Sequence, residues 1–417
     1  MSGPAHASGA LALSFPRLRA RLDALAEIGS YAPGGVARLA LTDADRDGRD
    51  LVVTWMRDLG LRVDIDGVGN IVGTWPPERY EPPVLTGSHI DSVATGGIYD
   101  GALGVLAGLE VIETVASAGV ETRHPLAVAV FTDEEGSRFA PDMLGSLVYV
   151  GGLALETALD TEAVDGAVLG DELARIGYAG SSPCPAVAPH AFVELHVEQG
   201  PVLEAEGVDI GVVTGVQGIS WTELTITGQS NHAGTTPMSH RHDAGHVAAA
   251  IAVGMRALAE ALGPPMVATV GRVELQPNLV NVVAARAVLT VDLRHTDDAV
   301  LVSAEARLAE LCGELAVSEE VGIAVRSLAR FAPVEFDDEV IDRVERVARA
   351  QGRTTRRMPS GAGHDAQMLA RVCPAGMVFV PSAGGVSHNP AEHTDDEQLA
   401  AGADVLLHVM LELAEVS

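Results

Sequence analysis

PVLTGSHIDSVATGGIYDGALGVLAGLEVIETVASAG occupies residues 83–119, and LAVAVFT follows at 126–132. The opening six residues read as a strand, the glycine-rich stretch as a loop, and the run from Gly101 as a helix. LAVAVFT is short, apolar and rich in β-branched residues, the pattern of a strand buried on both faces. Strand, loop, helix and strand in that order predict an α/β fold with a mixed, largely parallel sheet flanked by helices. FVELHVE (192–198) and MVFVPS (377–382) have the same texture. In such a sheet, function belongs at the carboxyl ends of the strands.

Working outward, Phe15, Leu18, Leu22, Leu25 and Ile28 recur at helical spacing and predict an opening amphipathic helix. Near residue 215 the texture changes. ISWTELTITG alternates, DAGHVAAAIAVGMRALAEAL reads as a helix, and MVATVGRV and AVLTVDLR read as strands. A helix near 298–316 and a strand near 321–328 complete the set. Alternating strands under one layer of helices predict an α+β domain, 215–329, inserted into a catalytic domain formed by 1–214 and 330–417.

The chain has 417 residues, enough for two domains, and 47% hydrophobic residues, enough for a core. Its 27 basic against 57 acidic residues leave a net charge of -30. That balance argues against nucleic acid and anionic membranes as partners. All the basic residues are arginine, so Schiff-base chemistry, pyridoxal phosphate attachment and a P-loop lysine are excluded together. Cys184, Cys312 and Cys373 are far apart and form no C-x-x-C pair, which favours a reducing cytoplasm. MSGPAHASGALALSF lacks the basic start of a signal peptide, and no uninterrupted run of 18 apolar residues occurs. A soluble protein is expected.

Chemistry-bearing residues gather at the predicted strand ends. His89 ends the first strand, with Asp91 two residues on, and a carboxylate beside an imidazole commonly orients a metal ligand. Asp100 lies in the glycine-rich loop. Glu134 and Glu135 abut at the end of LAVAVFT, where two buried acids are costly unless positive charge receives them. His196 lies in a strand with Glu194 and Glu198 on its face, and His388 follows a glycine-rich turn in PSAGGVSHNPAEHT. Each residue alone reads as an ordinary polar group. Together, His89, Asp100, Glu135, His196 and His388 make five ligands, enough for two divalent ions if Asp100 bridges. Three imidazoles with two carboxylates suit Zn²⁺ or Mn²⁺. Glu134 is left over as a general base. His242 and His246 have the H-x-x-x-H spacing of a helical zinc pair, but Asp replaces Glu and no third ligand is near. With His240 they read as surface residues.

These segments, in this order, resemble the M20 metallopeptidase family, and within it the N-carbamoyl-L-amino-acid hydrolases, ureidopropionases and allantoate amidohydrolases. The resemblance runs from about residue 20 to 410. GSHIDSVATGGIYDGALGVLAGLEVI, FTDEEGSRFAPDMLGSLVYVGG, ELHVEQGPVLE, GQSNHAGTTPM and SHNPAEHT carry it. It implies two divalent ions per subunit, Zn²⁺ or Mn²⁺, with Co²⁺ or Ni²⁺ as further options. His89, Asp100 and His196 would hold one ion, and Asp100, Glu135 and His388 the other. Glu134 would activate water and Asp91 would orient His89. The resemblance further implies that His232 stabilises an oxyanion in a neighbouring subunit's site, hence a homodimer. Arg294, with Asn281 alongside, would clamp the substrate carboxylate, while His364 and Gln217 would contact substrate. The implied reaction is hydrolysis of the ureido C–N bond of a small N-carbamoyl-L-amino acid. Allantoate or ureidopropionate amidohydrolysis is the alternative, followed by an M20 dipeptidase or a non-catalytic metal protein.

Overall fold

The structure of the protein, a computed structural model, describes residues 11–416. The first ten residues, on which much of the reading of the N-terminus rests, lie outside the described residues. The chain divides into two compact units, one formed up to Thr214 and again from Glu335, the other spanning Gly215–Val334.

The first unit is built on a nine-stranded mixed sheet. Its centre is parallel, with strands Ala375–Val380, Ala191–Val197, Val84–His89 and Leu126–Phe131 side by side in that order. Every residue of these four strands is buried, which is why they read as apolar runs rather than alternating ones. The flanks are antiparallel. Ile210–Val216 pairs with Ala375–Val380, Ile71–Trp75 with Leu126–Phe131, and Arg62–Ile65 with Ile71–Trp75.

Helix Ala102–Ala118 packs on the centre of this sheet. Two glycines on it permit the close approach. A Cβ on Gly104 would lie 2.7 Å from the Leu195 carbonyl oxygen, and one on Gly108 2.7 Å from Thr86 Cγ2. The helix ends at Gly119, whose φ of 64° suits a residue without a side chain. Helix Asp396–Leu413 packs on Ala375–Val380 and Ala191–Val197, and its start is fixed by reciprocal bonds between Asp395 and Gln398. The opening helix spans Phe15–Ala26, so Ile28 falls beyond it, its N–H bonded to the Leu25 carbonyl.

The second unit is a four-stranded antiparallel sheet in the order Val267–Gln276, Arg286–His295, Gly218–Thr227, Gly322–Phe331. Alternate residues Leu224, Ile226, Leu289 and Val291 bury against helices Ala244–Leu262 and Asp298–Ser318, which contribute Val247, Ile251, Leu301 and Leu308. Asp243 and Asp297 cap these helices by accepting two backbone N–H groups each. Helix Ala244–Leu262 is long and apolar enough on average to cross a membrane, at a mean hydropathy of 1.3. Arg256 and Glu260 interrupt it, and its buried face belongs to this core.

Candidate active site

The central strands run away from each other in sequence around Val84–His89. The chain passes next to Leu126–Phe131 on one side, then to Ala191–Val197 on the other. Such a switch point opens a crevice at the carboxyl ends of the strands. The sequence-predicted ligands lie there.

His89 closes its strand and is 1% exposed. Its Nδ1 lies 2.9 Å from the Asp91 carbonyl oxygen. A carbonyl can only accept, so Nδ1 carries the proton and Nε2 presents a lone pair. His196 repeats the arrangement, with Nδ1 2.9 Å from the Val197 carbonyl oxygen. The two rings sit on adjacent strands with centroids 6.1 Å apart. Both Nε2 atoms face Asp100 Oδ1, at 3.7 Å from His89 and 3.1 Å from His196. The other carboxylate oxygen of Asp100 lies 3.4 Å from His388 Nε2, which is also 3.4 Å from Glu135 Oε2.

The electrostatics of this cluster call for added positive charge. Burial opposes ionisation of His196, yet Asp100 outweighs it and lifts the imidazole pKa to about 9. Burial likewise penalises Asp100, but His196 and His388 hold its carboxyl well below the usual range. Glu134 and Glu135 are pushed well above it by burial and by neighbouring carboxylates, Asp365 first for Glu134 and Asp100 first for Glu135. Glu135 Oε1 is buried with no hydrogen-bond partner. Carboxylates crowded into a buried site, one with an orphaned oxygen, and imidazoles turned toward them are what divalent cations would satisfy, a cation there taking the place of the proton on His196.

Donor atoms of His89, Asp100 and His196 lie within 4.8 Å of one another, as do those of Asp100, Glu135 and His388. The two groups share Asp100. The residues therefore fit a pair of cations. Glu194, His196 and His364 form another close group. There, Glu194 already accepts from Ser88 Oγ and the Ala366 N–H, and His364 Nε2 bonds Ser360 Oγ at 2.9 Å. A surface group, His124, His190 and Glu415, has its rings stacked 3.7 Å apart and its carboxylate paired with Arg123.

Glu134 is 7% exposed, with Oε2 3.5 Å from His89 Nε2. Asp91 stands otherwise than alternation in an extended chain suggested. Its carboxylate is 3.9 Å from His89 Nδ1, while its carbonyl takes the hydrogen bond. The carboxylate instead accepts from the backbone N–H groups of Glu134 (3.3 Å) and Glu135 (3.4 Å). His364 is buried, its ring 4.6 Å from that of His196. Burial and the neighbouring His196 depress its pKa well below the ordinary value, so it stays neutral.

The remaining sequence-predicted residues lie on the second unit, in two pairs. His232 is exposed, and its Nδ1 accepts from the N–H groups of Gly234 (3.0 Å) and Thr235 (3.3 Å). Its Nε2 is therefore the N–H donor. Asn281 lies beside it, joined by the Ala233 N–H to the Asn281 carbonyl oxygen and by a bridge from His232 to Val282. Arg294 places two nitrogens on the Asp292 carboxylate, Nη2 at 2.9 Å. Gln217 directly precedes strand Gly218–Thr227, next to the Arg294–Ile219 pairing, and its buried Oε1 lacks a hydrogen-bond partner.

Within one chain, Asn281 is not alongside Arg294. Ten-residue strands separate them, with Arg286 opposite Thr227 at one end and Arg294 opposite Ile219 at the other. At 3.2–3.4 Å per residue the ends are roughly 30 Å apart. The H-x-x-x-H spacing forms no helical pair either. His242 precedes the helix, Asp243 caps it, and His242 and His246 face Glu320 and Glu319 separately.

Sequence reasoning did not single out Gln199, Ser387 or Glu392. The Gln199 side chain donates to Asp100 Oδ2 at 2.9 Å, and Ser387 Oγ lies 3.3 Å from the same oxygen. All three residues stand within the motifs that carry His196 and His388, and that proximity was the available signal.

The profile of peptidase family M20/M25/M40 matches residues 60–412. An N-carbamoyl-L-amino-acid amidohydrolase of Rhizobium meliloti is 42% identical over 96% of both chains. An allantoate amidohydrolase of Bacillus subtilis strain 168 is 34% identical over 94% of this chain and 95% of its own. The crystal structure of a hydantoinase/carbamoylase-family amidase from Burkholderia multivorans superposes with a TM-score of 0.93. It is 45% identical and covers 97% of this chain and 98% of its own. The chain thus belongs to the M20/M25/M40 peptidase family.

Proposed function

We propose that the protein hydrolyses the ureido C–N bond of N-carbamoyl-L-amino acids. One water is consumed, and the amino acid, carbon dioxide and ammonia are released. The observation that carries this reading is the convergence of His89, Glu135, His196 and His388 on Asp100, with Glu134 beside them and outside either donor group. The 42% identity to the Rhizobium meliloti enzyme favours the carbamoyl amino acid over allantoate, whose named relative is 34% identical.

His89, Asp100 and His196 would hold one divalent ion, and Asp100, Glu135 and His388 the other. Zn²⁺ and Mn²⁺ suit this mixed imidazole and carboxylate set. When bound, such ions supply Lewis acidity and a water acidic enough to ionise near neutral pH. Glu134 accepts the proton of the attacking water and returns it to the leaving nitrogen, a role that its raised basicity suits. His232, with Nε2 as donor, hydrogen-bonds the oxyanion that develops on the ureido carbonyl. Arg294, its guanidinium plane set by Asp292, anchors the substrate carboxylate, with Gln217 near it. His364 contacts substrate as a neutral imidazole.

The 215–334 unit acts as lid and dimerisation unit in this reading. A small ureido acid cannot touch residues roughly 30 Å apart. Arg294 with Gln217 and His232 with Asn281 therefore serve different sites, as they do if His232 reaches the site of a second copy. Cys184, Cys312 and Cys373 are thiols rather than disulfides, which suits a cytoplasmic setting.

The test is ammonia release from a panel of N-carbamoyl-L-amino acids, N-carbamoyl-β-alanine and allantoate, with Mn²⁺ or Zn²⁺ supplied. Turnover of the first group at least tenfold above the other two is expected. Preferential release from allantoate would replace this substrate assignment.

A further inference from the structure

Glu392 lies four residues beyond His388, is 5% exposed and faces the loop that carries Asp100. Its Oε1 accepts two consecutive backbone N–H groups, from Tyr99 at 3.0 Å and from Asp100 at 3.1 Å. Its Oε2 accepts from Ser387 Oγ at 3.1 Å, and that hydroxyl also lies 3.3 Å from Asp100 Oδ2. The contact is close because Gly97 has no side chain. A Cβ there would meet Glu392 Cβ and Oε1 at 2.5 Å. One side chain thus ties the loop bearing Asp100 to the loop bearing His388, across nearly three hundred residues of sequence.

We propose that Glu392 is a positioning residue that fixes Asp100 for metal binding by holding its backbone. This rests on the reading that Asp100 is the ligand shared by two ions. The physical reason is preorganisation. A bridging carboxylate must be held within about 0.5 Å of its working position, and its own rotamer can be no firmer than the loop beneath it. Glu392 is suited to this because a carboxylate oxygen can accept two N–H groups at once. The requirement is an oxygen acceptor at that distance, not a negative charge, so glutamine should substitute where alanine or aspartate does not.

The test compares wild-type protein with E392A, E392Q and E392D after loading with Mn²⁺. Retained metal is measured by elemental analysis during an EDTA challenge, and thermal unfolding is measured on the metal-free proteins. E392A should lose Mn²⁺ some ten- to hundredfold more readily than wild type, in the range found when residues supporting metal ligands are removed. E392Q should stay within about threefold of wild type. Should E392A fail to fold, E392D, one methylene short of the two N–H groups, takes its place. Unchanged metal retention with a lowered metal-free melting temperature would make the role merely structural and overturn the proposal. Equal losses in E392Q and E392A would overturn it too, because charge would then be the agent. If wild-type protein itself retains no Mn²⁺, the underlying two-ion reading falls, an outcome distinct from failure of the Glu392 variants alone.

Discussion

The two units hold their polar residues in opposite ways. In the first, His89, Asp100, Glu134 and His196 are buried at the ends of parallel strands, and each ring is fixed by a backbone carbonyl. In the second, His232 and Asn281 are exposed and lie a strand's length from Arg294. Buried groups locked by the sheet can be complete within one chain. Exposed His232 and Asn281, at the other end of a sheet from half-buried Arg294, gain meaning only when something else is brought to them. On the proposed function, the contrast separates a preformed ligand cluster from a substrate site that has to be assembled.

The largest effect should come from the preformed side. Glu134→Gln removes the proton acceptor without disturbing the five ligands, so turnover should fall by about 10²–10⁴-fold while bound metal stays unchanged. Loss of metal together with activity would move Glu134 into the ligand set. On the assembled side, His232→Ala should lower turnover by about 10²–10³-fold. Mixing inactive E134Q with inactive H232A sharpens the comparison. If His232 acts across a dimer, half the dimers formed by random exchange carry one intact site, and about a quarter of wild-type activity should return. No recovery after verified exchange would place His232 in its own subunit's site.

Arg294→Ala should raise KM for carboxylate substrates by roughly ten- to hundredfold, and Arg294→Lys should recover only part of it because the planar fork is lost. An unchanged KM would put the carboxylate anchor elsewhere. The smallest effect lies away from both sites. Arg175 and Arg138 hold Glu172 down to about pKa 2 against an ordinary 4.5, so its contribution to stability is present above pH 4.5 and lost as pH falls toward 2. Glu172→Gln should cost roughly 1–2 kcal/mol at pH 7, after allowance for solvent screening. The difference in melting temperature from wild type should shrink steadily below pH 4.5.

Much of the first unit was legible because buried parallel strands leave uninterrupted apolar runs, and the strand ends then point to His89, Glu135 and His388. The parallel pairing that sets His89 beside His196 was not legible, since pairing order leaves no mark on either strand. Asp91 was read as orienting His89 through its carboxylate, but the backbone turns after His89 and presents the carbonyl instead. Asn281 and Arg294 were placed together from a shared motif, NLVNVVAARAVLTVDLRH. A ten-residue strand carries them apart, a distance that a string of letters compresses.

The order in which the ligands enter the chain has a consequence for synthesis. His89, Asp100 and His196 all precede the second unit, whereas His388 follows it and sits close to the final helix. Yet Asp100 is held through Glu392, and strand Ala375–Val380 pairs directly with Ala191–Val197, so even the first donor group waits for the segment that follows the inserted unit. Under the two-ion reading, a chain truncated before residue 375 would lack one ligand of the second group and both the strand and the carboxylate that support the first.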